Sequence, residues 1–414
     1  MKQAAVLYLL WSKNGLVLLN YLSQKPRVVL TLAQYCNDEV KREIELRGSR
    51  LLILESLLTK SEIDKLREAS ATRAEQCKAL MTDASWISWR NRFSADPSIT
   101  DAIILQNFVQ HLFEGMVIVE MLEKVHQQFF LELVLVNEDY MQLSKTVVCW
   151  AKTRNIPSLH LAHALQLAKP YTVHGQLSAD VVAVFGERGA EPYYDLGIPP
   201  DRIRITGNPA WDIYAQYKQK RELLRKYVIT KYAFDSEAPI LLFGTTSRGE
   251  HSALADDALI DNTLITVFQA YAELRKTGFA LNLIIKDRAS NVAFGRNLVM
   301  AAASEAGVQS NSFAYVTSET EIHITAADVV VSVDSNLTVE AMLAEVPAIN
   351  LINEPGVRLG PIFDGGSGIV EVEPNNLINA LVGVLYDTDF RAQLLEASKA
   401  RVHYYNSTID GTAT

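Results

Sequence analysis

Short apolar runs alternate with longer amphipathic stretches along the whole chain. Residues 6–10 and 28–32 are apolar runs that predict strands; 37–47 predicts a helix closed by Gly48, and 51–54 the next strand. Residues 60–81 are charged and amphipathic, with Ile63 and Leu66 at helical spacing, and predict a solvated helix or helix pair. Trp86 and Trp89 fall in a segment that reads as a loop, where packing is a more ordinary role for them than contact with a sugar ring. A helical region from about 100 to 128 leads to a strand at 131–136, a helix at 144–154 and a strand at 158–163. Residues 180–186 predict another strand, followed by a short helix that Pro192 would open, a turn at Gly197-Ile198-Pro199-Pro200 and a strand at 203–206. Gly207-Asn208-Pro209 reads as a hinge, because a Gly-x-Pro break ends a sheet cleanly.

A new strand–helix series follows. Residues 240–243, 281–285, 313–316, 329–333 and 369–372 predict strands; 263–276, 298–306 and 390–403 predict helices. The stretch 327–351 is the most telling. Residues 329–333 are β-branched, as in a strand buried on both faces; Ser335 is a good N-cap, and Pro347 stops the helix before a second strand. Taken alone, this is either a helix N-terminus set to receive an anion or one more structural βαβ unit. The expected fold class is α/β, with two Rossmann-like doubly wound domains at 1–208 and 209–387, then a terminal helix and linker-like tail at 388–414, as in a module cut from a longer polypeptide.

Composition narrows the function. The chain has 414 residues, enough for two or three domains at roughly 150 each. Its net charge of −9 argues against a nucleic-acid-binding surface, which needs a basic face. Cys36, Cys77 and Cys149 are far apart and odd in number, which fits a reducing cytoplasm. The apolar start has one Lys and no small-residue cleavage site, so a first strand explains it better than a signal peptide. No continuous run reaches the ~18–20 apolar residues of a membrane span, which leaves peripheral contact at the inner membrane face open.

Candidate chemistry gathers at predicted strand ends. Glu138 and Asp139 follow one strand; His160 and His163 lie on or just beyond the next. In the second half Gly244-Thr245-Thr246-Ser247-Arg248-Gly249 is a small-residue loop whose amides suit phosphate, and Lys286-Asp287-Arg288 ends the following strand. A surface ion pair among these three is the plainer reading of Lys286 and Arg288. His174, His251 and His323 are scattered, no pair has metal-ligand spacing, and there is no Asp-x-Asp, so a metal-independent site is expected.

The segments "VNEDYMQLSKTVVCWAKTRNIPSLHLAHA", "ADVVAVFGERGAEPYYDLGIPPDRIRITGNPAWD", "LIIKDR" and "AADVVVSVDSNLTVEAMLAEVPAINL", in this order, resemble the GT-B glycosyltransferases of the bacterial surface-polysaccharide group. That group includes CMP-Kdo transferases, CDP-glycerol glycerophosphotransferases and UDP-GlcNAc 2-epimerases. The resemblance implies a nucleotide-sugar donor held by the C-terminal domain, with no other cofactor. It also implies a glycan or lipid-linked glycan acceptor, such as lipopolysaccharide or O-antigen, on the N-terminal side. Ser335, Asn336 and Thr338 would meet phosphate or ribose, and Glu340 the ribose hydroxyls; Lys286 and Arg288 would offset phosphate charge. Arg288-Ala289 departs from the His-Pro the family carries there. Ala162-His163-Ala164 and Asp334-Ser335-Asn336 depart from the glycerophosphotransferase and epimerase patterns, so both neighbours lose weight.

Glycosyl transfer needs a group to manage the acceptor proton and groups to stabilise the departing phosphate. Glu138 or Asp139 is the expected acid/base, against a solvated acidic turn; His163 is expected to contact acceptor or donor phosphate, against a buried hydrogen-bonded histidine. Retaining CMP-Kdo transferases use a carboxylate nucleophile with a second carboxylate. By that analogy Asp212 is the nucleophile and Glu138 its partner, in a double displacement. The plainer reading of Asp212 is an N-cap for a helix starting at Ile213.

Overall fold

A computed structural model describes residues 2–10, 15, 17–19, 27–46, 48–93, 96–165, 176–245, 257–288, 295–352, 363 and 365–410. Several expectations fall outside these residues: Thr246 to Gly249 of the small-residue loop, Ala289, and the histidines His174 and His251.

The chain forms two compact units. One comprises Met1–His163, Ala168–Ala183 and Tyr193–Arg204; the other comprises Ala164–Leu167, Val184–Pro192 and Ile205–Thr414. The first sheet is built from β1 (Gln3–Leu9), β2 (Val28–Thr31), β3 (Arg50–Ile53), β4 (Phe129–Val136), β5 (Ser158–Leu161), β6 (Val181–Val184) and β7 (Ile203–Ile205). Its order is β3-β2-β1-β4-β5-β6-β7. The second contains β8 (Ile240–Gly244), β9 (Asn282–Lys286), β10 (Ala314–Val316), β11 (Val329–Ser332), β12 (Ala348–Leu351) and β13 (Val370–Val372), in the order β10-β9-β8-β11-β12-β13. The recorded strand pairings are parallel. This is the doubly wound α/β architecture expected for each half.

The apolar runs form strands for the reason their composition gives. Every residue of β2, β8, β9, β11 and β12 is buried, because helices cover both faces of a parallel sheet. At the sheet edges β3 and β13 are only partly covered. The first core joins Val6, Tyr8, Val29, Leu135 and Leu161 to Val40 and Ile44 of helix Asp38–Leu46. The second packs Leu241, Phe243, Leu283 and Val331 against Val267, Phe268 and Tyr271 of helix Asp257–Lys276.

Between β3 and β4 the chain makes a long helical excursion. Helix Lys60–Leu80 opens with a capping box in which Thr59 and Glu62 satisfy each other's amides, and it packs on helix Pro97–Gln128. The Lys124 ammonium pins the two together through Glu62 at 2.7 Å. Helix Ile99–Gln128 is long enough for a membrane span and reaches its mean hydropathy, 1.4, over an 18-residue window that is almost entirely unburied, with Ile103, Phe108 and Val109 exposed; Ile118, Met121, Leu122 and Val125, toward its end, are buried.

Two local expectations are corrected. Trp86 and Trp89 lie on a helix, Ala84–Phe93, rather than a loop. Asp83 starts it by accepting the Ser85 amide at 2.7 Å, and the Trp86 indole donates to Asp101 at 2.9 Å. Pro192 stands inside helix Glu187–Asp195 instead of opening it, at the cost of one rung of its hydrogen-bond ladder.

The terminal helix Thr388–Tyr405 is capped by Asp387 and packs within the second unit. Asn406 is buried, its side chain accepting the Asn208 amide at 2.8 Å, and the Ser407 amide donates to the Phe185 carbonyl at 2.8 Å. Ser407, the first residue of the segment 407–414 expected as a linker, is thus tied to the unit.

Candidate functional site

In each sheet the strand order reverses direction once, and the crevice at that reversal is where open α/β sheets take ligands. In the first unit the reversal lies between β1 and β4, and Asn137, Glu138 and Asp139 follow β4 directly. In the second it lies between β8 and β11. There Gly244 and Thr245 leave one strand, and Asp334, Ser335 and Asn336 follow the other.

The residues after β4 have distinct surroundings. Asn137 is fully buried and donates to the Leu161 carbonyl at 3.0 Å, tying the ends of β4 and β5. Its own carbonyl lies 3.1 Å from Nδ1 of half-buried His163. Asp139 is 2% exposed, and its Oδ2 accepts the amides of Ser178 at 2.5 Å and Ala179 at 2.7 Å. That carboxylate therefore organises the approach to β6. Its other oxygen lies 3.6 Å from Nδ1 of buried His160, whose pKa is lowered by burial despite the opposing Asp139 charge.

Glu138 is also buried, with the Ser144 hydroxyl donating to it at 3.3 Å. Burial, with the Glu138 charge adding to it, pushes the Tyr35 phenol up to about 12. Tyr140 is raised by burial and by both carboxylates. Of the expected acid/base pair, Asp139 is the one engaged in holding two backbone amides.

In the second unit the helix Asn336–Leu343 starts as expected, with Ser335 at its N-cap accepting the Leu337 amide at 3.3 Å. Asn336 accepts the Leu165 amide at 3.2 Å. Thr338 turns inward: it is fully buried, with its hydroxyl 2.8 Å from Ser332 Oγ. Gly244 lies beneath the helix, and a Cβ there would come within 2.1 Å of Leu337 Cδ1, the far end of a side chain that would have to move.

Thr245 joins β8 to β9 through a 3.0 Å bond from its amide to the Lys286 carbonyl, while its hydroxyl donates to Asp287 at 2.7 Å. Lys286 is buried, and its ammonium donates to the carbonyls of Asp287 at 2.7 Å and Thr317 at 3.3 Å. The surface ion pair weighed for it would need exposed groups, and both Lys286 and Asp287 are buried. Arg288 has an exposed side chain, and its amide donates to Asp287 at 2.9 Å.

Asp287 is the residue that sequence reasoning undervalued. Its buried carboxylate also accepts the Gly295 amide at 2.8 Å and the Tyr315 hydroxyl at 2.9 Å. Burial alone would raise its pKa; the bonds from Thr245, Gly295, Arg288 and Tyr315 outweigh that and hold it below the usual carboxylate value. Its position immediately after a strand was the available signal.

Glu340 is partly buried and accepts the phenol of buried Tyr214 at 2.6 Å. Asp212 stands at the N-cap position of helix Ile213–Tyr217, yet its side chain makes no capping bond. Among the described residues no group of three or more His, Cys, Asp or Glu side chains is gathered as a metal would need.

No family model matches the chain, and no curated protein does. Solved structures match along its length. A UDP-GlcNAc 2-epimerase from Neisseria meningitidis bound to UDP-GlcNAc is 11% identical with a TM-score of 0.58, covering 99% of this chain and 97% of its own. A glycosyltransferase from Rickettsia africae is 13% identical with a TM-score of 0.56, covering 99% and 96%. An Anabaena protein, HepE, in complex with UDP and glucose, is 11% identical with a TM-score of 0.53, covering 99% and 97%. At this identity the likeness is one of fold: two parallel-sheet α/β domains of the GT-B kind.

Proposed function

We propose that this chain is a nucleotide-sugar enzyme, and specifically a glycosyltransferase that moves a sugar onto a bacterial surface glycan or lipopolysaccharide acceptor. The observation that carries this reading is the reversal between β8 and β11, where the capped start of helix Asn336–Leu343 meets the ends of β8 and β9. A helix start at such a crevice favours a nucleotide's phosphates through its amides and dipole. The epimerase and the HepE protein, whose fold is shared, were solved with UDP-GlcNAc and with UDP and glucose.

In this reading Ser335 and Asn336 face the phosphates and Glu340 takes the ribose hydroxyls, held in orientation by Tyr214. Lys286 and Arg288 supply positive charge near the leaving group. Asp212 attacks the anomeric carbon as the bond to the donor phosphate breaks; the acceptor oxygen then displaces it with retention. Glu138 is proposed to accept the acceptor's proton. The donor is proposed to be CMP-Kdo on the sequence resemblance, and no metal or further cofactor takes part. The enzyme is proposed to act in the cytoplasm at the inner face of the membrane.

A second reading, an epimerase or hydrolase acting on a UDP sugar, draws support from the epimerase structures that match the whole chain. One experiment separates the two. Binding of CMP, UDP, CDP and GDP is measured by calorimetry, and the corresponding sugar nucleotide is then incubated with and without a glycan acceptor. Acceptor-dependent release of the nucleotide supports transfer; epimerised or hydrolysed donor without acceptor supports the second reading; no binding of any nucleotide overturns both.

A further inference from the structure

The turn between β11 and helix Asn336–Leu343 contains a left-handed residue. Asp334 has φ of 39°, a region that aspartate enters more readily than most residues with a Cβ, though less freely than glycine. Two hydrogen bonds from one side chain hold it there. That side chain lies on the neighbouring strand. Asn350 on β12 is fully buried, and its side-chain amide grips Asp334 twice: Oδ1 accepts the Asp334 amide at 2.8 Å, and Nδ2 donates to the Asp334 carboxylate at 2.9 Å. The same Nδ2 donates to Glu371 on β13 at 3.1 Å. With two carboxylates on one side and an N–H on the other, the amide has a single consistent orientation.

We propose that Asn350 is the positioning residue of this turn, setting Asp334 in its left-handed conformation and thereby the approach of Ser335 and Asn336 to the nucleotide. Glu371 supports the amide from the far side. This deepens the nucleotide-sugar reading and rests on it. Asn350 is fully buried and acts through the backbone it holds, so its loss leaves the chemistry of Ser335 and Asn336 intact and misplaces it.

The test compares wild type, N350A and the double variant D334G/N350A. Glycine adopts a left-handed φ without steric cost, so it removes the need for the clamp. Calorimetry with CMP, UDP, CDP and GDP, thermal melts, and amide exchange at Asp334, Ser335 and Asn336 are measured for each. N350A is expected to weaken nucleotide binding at least about tenfold, on the scale that a misplaced site costs, and to speed exchange at the turn. D334G/N350A is expected to regain most of the lost affinity. Unchanged binding by N350A overturns the inference, as does a loss that the double variant does not recover. If wild type binds none of the four nucleotides, the functional reading fails, and exchange alone decides the inference: faster at the turn in N350A supports it, unchanged exchange overturns it.

Discussion

The phenol of Tyr214 donates a 2.6 Å hydrogen bond to Glu340, linking the short helix after Asn208-Pro209 to the helix that follows β11. Tyr214 is fully buried, and burial first, then the Glu340 charge, raises its pKa well above the usual phenol value. The tyrosine therefore stays a donor, and the carboxylate is held ready as an acceptor. Tyr214→Phe is expected to cost about 1–2 kcal/mol of stability, the scale of a hydrogen bond to a charged group at a partly covered site. It is also expected to raise KM for the donor with kcat little changed. Urea titration and steady-state kinetics check both.

Asp212→Asn is expected to abolish sugar transfer while nucleotide affinity stays within about twofold of wild type, because an amide keeps the shape but is not a nucleophile. Calorimetry and a transfer assay read the two effects separately. Normal turnover by this variant would remove Asp212 from the chemistry.

Gly244→Ala brings a methyl group into the space Leu337 occupies. The clash falls on the far end of a side chain, so a loss of about 1–2 kcal/mol is expected rather than unfolding. Weaker nucleotide binding should accompany it, as the first turn of helix Asn336–Leu343 lifts. Adding Leu337→Ala makes room and should recover most of the affinity. If the double variant binds no better than Gly244→Ala, the contact does not govern the helix start.

Acid should destabilise the protein through His160. Burial lowers its pKa in the folded state, so the unfolded chain binds the proton more readily. Stability is then fully present above the unfolded value of about 6.5 and is lost as pH falls toward the lowered one, by at most about 1.4 kcal/mol per pH unit. His323, also lowered by burial, adds in the same direction. His160→Gln should reduce the fall in Tm between pH 7 and pH 5; an unchanged fall would show that His160 takes up its proton equally in the folded and unfolded chain.

Turnover, once a donor is found, is expected to be unchanged by EDTA. Loss of activity on chelation, restored by a divalent cation, would place a metal in the reaction.

Much of the architecture was legible because parallel strands buried on both faces leave unmistakable apolar runs, as at 240–243 and 329–333. Ser335 announced the helix after β11 by its type and place. What escaped was set by partners distant in sequence. Asn350 sits inside an apolar run and reads as an oddity until Asp334 and Glu371 are brought to it by the pairing of β11, β12 and β13. Asp287 looked like half of a surface pair because nothing in its neighbourhood shows that Thr245, Gly295 and Tyr315 converge on it. Thr338, chosen for its hydroxyl, is turned inward by a serine on the preceding strand. The helix holding Trp86 and Trp89 lacked an apolar stripe, although Asp83 marked its start.

The pairing of β1 with β4 has a kinetic consequence. Gln3 aligns with Phe129 and Leu9 with Val136, so the centre of the first sheet closes only after β2, β3 and the whole excursion through helices Lys60–Leu80 and Pro97–Gln128 have been synthesised. Contacts so far apart pay their loop entropy before they return any stabilisation, and sheets of this kind assemble slowly. A nascent chain stopped short of Phe129 carries β1 with one of its two neighbours missing and an open hydrogen-bonding edge. Aggregation during synthesis should therefore be governed by how long that edge waits, and slower, cooler expression should favour the native sheet over edge-to-edge association.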